Sequence, residues 1–87
     1  MNDHHAYPVG AAGLQRRLTE HGVVVLAVVA DGAGSGWFTV YLHGPAGNLQ
    51  QETAFDVLIS VPGVVEVRVS DRSPSILRVC QRPDALA

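Results

Sequence analysis

The run Val23-Val-Val-Leu-Ala-Val-Val-Ala30, followed by Asp31-Gly-Ala-Gly-Ser-Gly36 and Trp37-Phe-Thr-Val-Tyr-Leu-His43, carries the reading of the fold. Its first part is rich in β-branched side chains without polar alternation, which predicts a strand covered on both faces. The glycine-rich part is turn chemistry, and the third alternates aromatic and β-branched residues, so the three together predict a hairpin. Strand side chains alternate with period two, which sends Phe38, Val40 and Leu42 to one face and Trp37, Thr39, Tyr41 and His43 to the other. The first set is expected in the core. The second is amphipathic and open to solvent, a ligand or another chain.

Before this hairpin, Ala11, Leu14 and Leu18 recur at three- and four-residue spacing and predict an amphipathic helix over residues 10–21. Gly22 is suited to the left-handed conformation that ends a helix, while Gly10 and Gly13 weaken its beginning, so a frayed start is expected. After the hairpin, Gly44-Pro45-Ala46-Gly47 breaks the strand. Asn48 and Gln51 have the spacing of a capping box for a helix running to about Ser60, with Leu49, Ala54, Val57, Leu58 and Val61 as its core stripe. Pro62-Gly63 ends it. Val65, Val67 and Val69 then alternate with Glu66 and Arg68 in a third strand, Asp71-Arg-Ser-Pro74 supplies a turn, and residues 75–81 form a fourth strand with Leu77 and Val79 inward.

The order is therefore αββαββ. Moving the last strand to the front gives the split βαβ, or ferredoxin-like, order. The expected fold is α+β: a two-layer sandwich of a four-stranded antiparallel sheet with two helices on one face, in a permuted ferredoxin-like arrangement. The last strand should lie between the second and third, with the first at an edge. Residues 1–9 read as an N-terminal arm, 10–81 as one domain and 82–87 as a tail.

The stretch Val57-Leu-Ile-Ser-Val-Pro-Gly-Val-Val-Glu-Val-Arg-Val69 resembles the helix, Pro-Gly turn and Val-rich strand of ACT, heavy-metal-associated and BON domains. It covers thirteen of 87 residues, and a helix ending in Pro-Gly before an alternating strand is also generic punctuation. The heavy-metal-associated family implies a Cys-x-x-Cys loop that a chain with one cysteine lacks. ACT domains imply small effectors bound at interfaces, but no effector motif carries over. The resemblance implies architecture rather than function.

Composition narrows the functional classes. A chain of 87 residues has room for one core, and with 47% of residues in the hydrophobic set and 16% charged it is apolar enough to fold. So little charge leaves apolar surface uncovered, which favours contact between chains. A net charge of −2 provides no global positive field, placing nucleic acid low among partners. Cys80 is the single cysteine, which excludes an intrachain disulfide and fits a reducing, cytoplasmic setting. The run of residues 23–30 is far shorter than the roughly 20 apolar residues of a membrane-spanning helix. The Met-Asn-Asp-His-His start lacks the marks of a secretory signal, so neither export nor a membrane is expected.

No residue set establishes a chemistry, and each candidate has an ordinary counterpart. His4 and His5 with Asp3 have suitable donors for a metal, but adjacent positions in an arm do not preorganise a site. His21 suits a helix end, where a cation meets exposed carbonyls. Cys80 reads as a packing residue unless a neighbouring cation activates it. Gly32, Gly34 and Gly36 lead into a strand and lack the Gly-Lys-Ser/Thr ending of a phosphate loop. No cofactor motif is present, and no catalytic constellation is found. The richest set is Trp37, Tyr41, His43, Arg68 and Arg78, placed by alternation on the open sheet face with Glu66 and Cys80. Aromatic and arginine side chains suit protein contacts and also base stacking. The plain alternative is an exposed sheet face with weak cross-strand pairs. The expectation is a noncatalytic interaction or regulatory module that self-associates as a homodimer, through this face or an apolar edge strand. A small-ligand or metal-responsive sensor is the alternative.

Overall fold

Leu14 and Leu18 lie four residues apart, on one side of α1 (Gly10–Glu20), and both are fully buried. The helix stops where the sequence places the stop. Gly22 takes φ 81°, its N–H donates to the Thr19 carbonyl at 3.0 Å, and the Val23 N–H reaches back to the Leu18 carbonyl at 3.0 Å. This paired closure satisfies carbonyls that the helix end would otherwise leave bare, and it drops Val23 into the core beside Leu18. The computed structural model describes residues 10–32 and 35–82, apart from the side chains of residues 44–49. The arm with His4 and His5, Gly34, and residues 83–87 lie outside the described residues, as does the side chain of Leu49.

Two hairpins follow. The first joins β1 (Val25–Ala30) to β2 (Trp37–Leu42); the second, after α2 (Gly44–Ile59), joins β3 (Val64–Val69) to β4 (Ile76–Gln81). All pairings are antiparallel, and the sheet order is β1-β2-β4-β3, so the last strand is central and the first is at an edge. One core draws Leu14 and Leu18 from α1, Ala54, Val57 and Leu58 from α2, Val40 and Leu42 from β2, and Leu77 and Val79 from β4. The fold is thus α+β, with a four-stranded antiparallel sheet and two helices.

Several local expectations are corrected. The run of residues 23–30 is not covered on both faces: in the edge strand β1 Leu26 is 61% exposed and Val29 49%, and Val24, just before the strand, is 49% exposed. Among the described residues no strand lies on its outer side, and its exposed apolar side chains meet water. The second helix begins at Gly44, not Asn48, with His43 as N-cap and Pro45 in the first turn, where proline's missing N–H has no helical partner to lose. His43 consequently stands beyond β2. In β3 the register shifts between Val64 and Glu66, so Val64 packs on the core while Val65 is turned out. A bulge of one residue is enough to reverse which valine faces inward. Pro62 and Gly63, at φ 86°, occupy the centre of a turn closed by the Val64 N–H on the Val61 carbonyl at 3.1 Å.

Two glutamines, silent in the sequence pattern, tie the elements together. Gln81, 1% exposed, accepts from the Gly10 N–H at 3.3 Å and donates to the Pro62 carbonyl at 3.2 Å. The expected fraying of α1 is opposed at its first residue by this bond. Gln50 accepts from the Val24 N–H at 2.9 Å and donates to the Gly22 carbonyl at 3.3 Å, pinning the chain between α1 and β1 to α2.

Gly36 sits where the hairpins meet. It takes φ 80°, its carbonyl accepts from the Gln81 N–H at 2.7 Å, and an added Cβ would lie 2.8 Å from the Gln81 carbonyl oxygen. Gly22 has the same backbone conformation with open space around it. Gly22→Ala should cost about 1 kcal/mol from backbone strain alone. Gly36→Ala should cost more than about 2 kcal/mol, since strain is joined by a backbone clash. Urea denaturation midpoints of the two variants check this order.

Candidate functional site

The strand registers arrange the sheet face opposite the core in three rows. Ala27, Tyr41 and Ile76 form one; Val29, Thr39, Arg78 and Arg68 the next; Trp37, Cys80 and Glu66 the third. Residues directly opposite across paired strands share a face, so this follows from the backbone pairing. Trp37, Arg68 and Arg78 are brought together: the Arg78 guanidinium lies 4.8 Å and that of Arg68 5.7 Å from the indole centroid. Both are within cation–π range. Tyr41 shares the face one row away. His43, exposed at the α2 N-cap without a side-chain cap bond, is not drawn into the cluster; its N–H donates to the Val24 carbonyl at 3.1 Å.

Arg68 and Arg78 are direct cross-strand partners, a placement that like charges disfavour. Carboxylates relieve it on each side. Arg78 Nη2 donates to Asp31 Oδ2 at 2.9 Å, and Thr39 Oγ1 holds the same carboxylate, 2.8 Å from Oδ1 and 3.0 Å from Oδ2. Arg68 Nε pairs with Glu66. The ion pairs and the indole therefore form one connected layer, Asp31 to Arg78 to Trp37 to Arg68 to Glu66. Cys80 lies in the row between Trp37 and Glu66 and is 7% exposed although no helix residue is its strand neighbour. The layer covers Cys80, while Arg68, Arg78, Tyr41 and Val29 stay well exposed.

An open hollow of about 330 Å³ lies at one side of this layer, lined by Arg68, Val69, Ser70, Asp71 and Arg78. Among the described residues, no group of three or more His, Cys, Asp or Glu side chains converges as metal ligands would. No described helix is long and apolar enough to cross a membrane.

The second notable surface is the β1 edge. From Gly22 to Ala30 the chain carries no charge, and Val24, Leu26 and Val29 are its exposed aliphatics. The opposite edge, β3, carries Glu66 and Arg68. Bulges, charge and proline are the usual means by which an edge is kept from pairing. At β1, among the described residues, only a bulge near Leu26 is present.

Sequence reading missed Asp31, which looked like a turn residue but anchors Arg78. The signal was the hairpin register: pairing Val29 with Thr39 sets Asp31 opposite Trp37, diagonal to Thr39.

Because Arg78 packs on the only tryptophan, Arg78→Gln should shift Trp37 fluorescence to the red as water replaces the guanidinium. The stability loss should stay near 1 kcal/mol, as for other partly exposed ion pairs. Emission spectra and urea melts of the variant check both. Compared with protein-family models, with curated proteins and with solved structures, the chain gives no match, so a function must rest on these two surfaces.

Proposed function

We propose that this chain is a noncatalytic interaction module that self-associates as a homodimer through the apolar β1 edge. The carrying observation is the uncharged edge strand with Leu26 61% and Val29 49% exposed, continued by Val24, 49% exposed, just before it. Exposed aliphatics on a strand with unpaired backbone groups favour addition of another strand, because hydrogen bonding and apolar burial act together. The open face is the weaker candidate for the contact. Its arginines already pair with carboxylates and the indole, and breaking those contacts would offset what a partner supplies.

The same reading takes the architecture as a two-layer, permuted ferredoxin-like sandwich. The central position of β4, the edge position of β1 and the contact of α1 with α2 support it. A small ligand in the hollow beside Arg68 and Arg78 is the second reading, favoured by two guanidinium groups on one wall. Asp31, Glu66 and Asp71 oppose it by neutralising that wall. Base stacking is disfavoured too, since Arg78 occupies the indole a base would use.

Light scattering over a dilution series tests the main reading. The wild-type chain should be dimeric at high micromolar concentration and dissociate on dilution. Leu26→Lys should weaken the dimer by about tenfold or more, or about 1.4 kcal/mol, with the far-ultraviolet circular dichroism unchanged. A wild-type monomer at high micromolar concentration overturns the reading.

A further inference from the structure

The backbone pairing on the inner side of β1 determines what its outer side offers. The Asp31 N–H donates to the Trp37 carbonyl at 2.8 Å, making this a hydrogen-bonded pair, and the register continues through Val29 with Thr39 and Ala27 with Tyr41. In an antiparallel ladder, bonded and non-bonded pairs alternate. Asp31, Val29 and Ala27 thus direct their backbone groups toward β2, while Val28 and Ala30 direct theirs away from the sheet. The same parity holds at the other side of β2, where the Gln81 N–H meets the Gly36 carbonyl and the Leu42 N–H meets that of Ser75. Below Ala27 the bulge interrupts this phase, and at Val24 the N–H is already taken by Gln50 and the carbonyl by His43. Val28 and Ala30 are the regular outward pair.

We propose that β1 pairs antiparallel with β1 of a second copy, with Val29 of each chain on the two-fold axis; this rests on the self-association reading above. In that register Val28 exchanges both backbone hydrogen bonds with Ala30 of the second copy, and Ala30 does the same with its Val28. All four backbone groups of Val28 and Ala30 find partners on the other strand. Val29 faces Val29 of the second copy in a non-bonded pair, the type with the shorter Cα separation, so two half-exposed valines cover one another. Val28 meets Ala30 on the core side. No like charges oppose one another: residues 22–30 are uncharged, and Asp31 falls opposite Ala27 while held by Thr39 and Arg78.

A second copy is the occupant that this edge matches, because an antiparallel two-fold contact must be self-complementary. Val28 and Ala30 meet that condition donor for acceptor. Growth stops there, since the outer edges of the joined sheet are two β3 strands carrying Glu66 and Arg68. The product is one eight-stranded sheet bounded by the two β3 strands, twice the four strands of each copy.

Cysteine placement separates this geometry from self-association in general. In a Cys80→Ala background, Val29→Cys and Leu26→Cys are oxidised mildly, and covalent dimer is followed on non-reducing gels. Non-bonded antiparallel pairs place Cα atoms about 4.5 Å apart, within the range a disulfide spans. Val29→Cys should therefore cross-link at least about tenfold faster than Leu26→Cys, although Leu26 is the more exposed residue and random collision would favour it. Should Cys80→Ala unfold the chain, the same substitutions are made with the buried Cys80 retained and the linked peptides are identified by mass. Scattering on the reduced wild type accompanies the measurement. A dimer in which Leu26→Cys links as fast as Val29→Cys overturns the Val29-centred pairing and leaves self-association standing. A monomer overturns both.

Discussion

The fold depends on β2 and β4 lying side by side, and that contact closes at a point with no room for a side chain. Each hairpin is held by local turns: Ser35 and Asp31 at the first, Ser70 and Ser73 at the second. Neither hairpin alone covers a core. Only when the Gln81 N–H reaches the Gly36 carbonyl do Val40 and Leu42 come beside Leu77 and Val79, giving both helices a common apolar surface. Gln81 extends the join inward, its buried amide reaching α1 at Gly10 and the turn at Pro62. Lost partners for such an amide are costly because water cannot replace them.

The unequal character of the edges follows from this central seam. With β2 and β4 in the middle, β1 and β3 are necessarily outside. β3 bears charge, and Arg68 is further engaged by Glu66 and Trp37. β1 has neither charge nor a covering segment among the described residues. The open face between them carries an ionic and aromatic layer whose arginines are already paired, which leaves the first strand as the least finished part of the surface.

Much of this was legible from sequence where a pattern was local. Leu14, Leu18 and Gly22 announced α1 and its end, and the alternation from Trp37 to Leu42 assigned both sides of β2. The Val57-to-Gly63 pattern marked the end of α2. The errors arose where position in the sheet overrode composition. An all-apolar run does not show which of its side chains another layer covers, so residues 23–30 predicted a strand covered on both faces although the element order already set it at an edge. The bulge at Val65 could not be seen because two adjacent valines, Val64 and Val65, are equally suited to the inward position. The start of α2 was lost to glycines whose weak helix propensity is overcome in context by Pro45. Among site residues, Trp37, Arg68 and Arg78 were grouped by parity alone. Asp31, Gln50 and Gln81 were not, because their partners lie far along the chain.

A strand that is last in chain order and central in space has a consequence for how the molecule is made. Until β4 docks, the first hairpin has the inner edge of β2 unsatisfied and β3 has no neighbouring strand. Gly10 must wait for Gln81, 71 positions later, to find its acceptor. Such distant closures slow folding, since chain entropy is lost before the contacts compensate it. During that interval two extra strand edges stand beside the apolar β1. The folding chain is therefore most vulnerable to misassembly before β4 docks between β2 and β3.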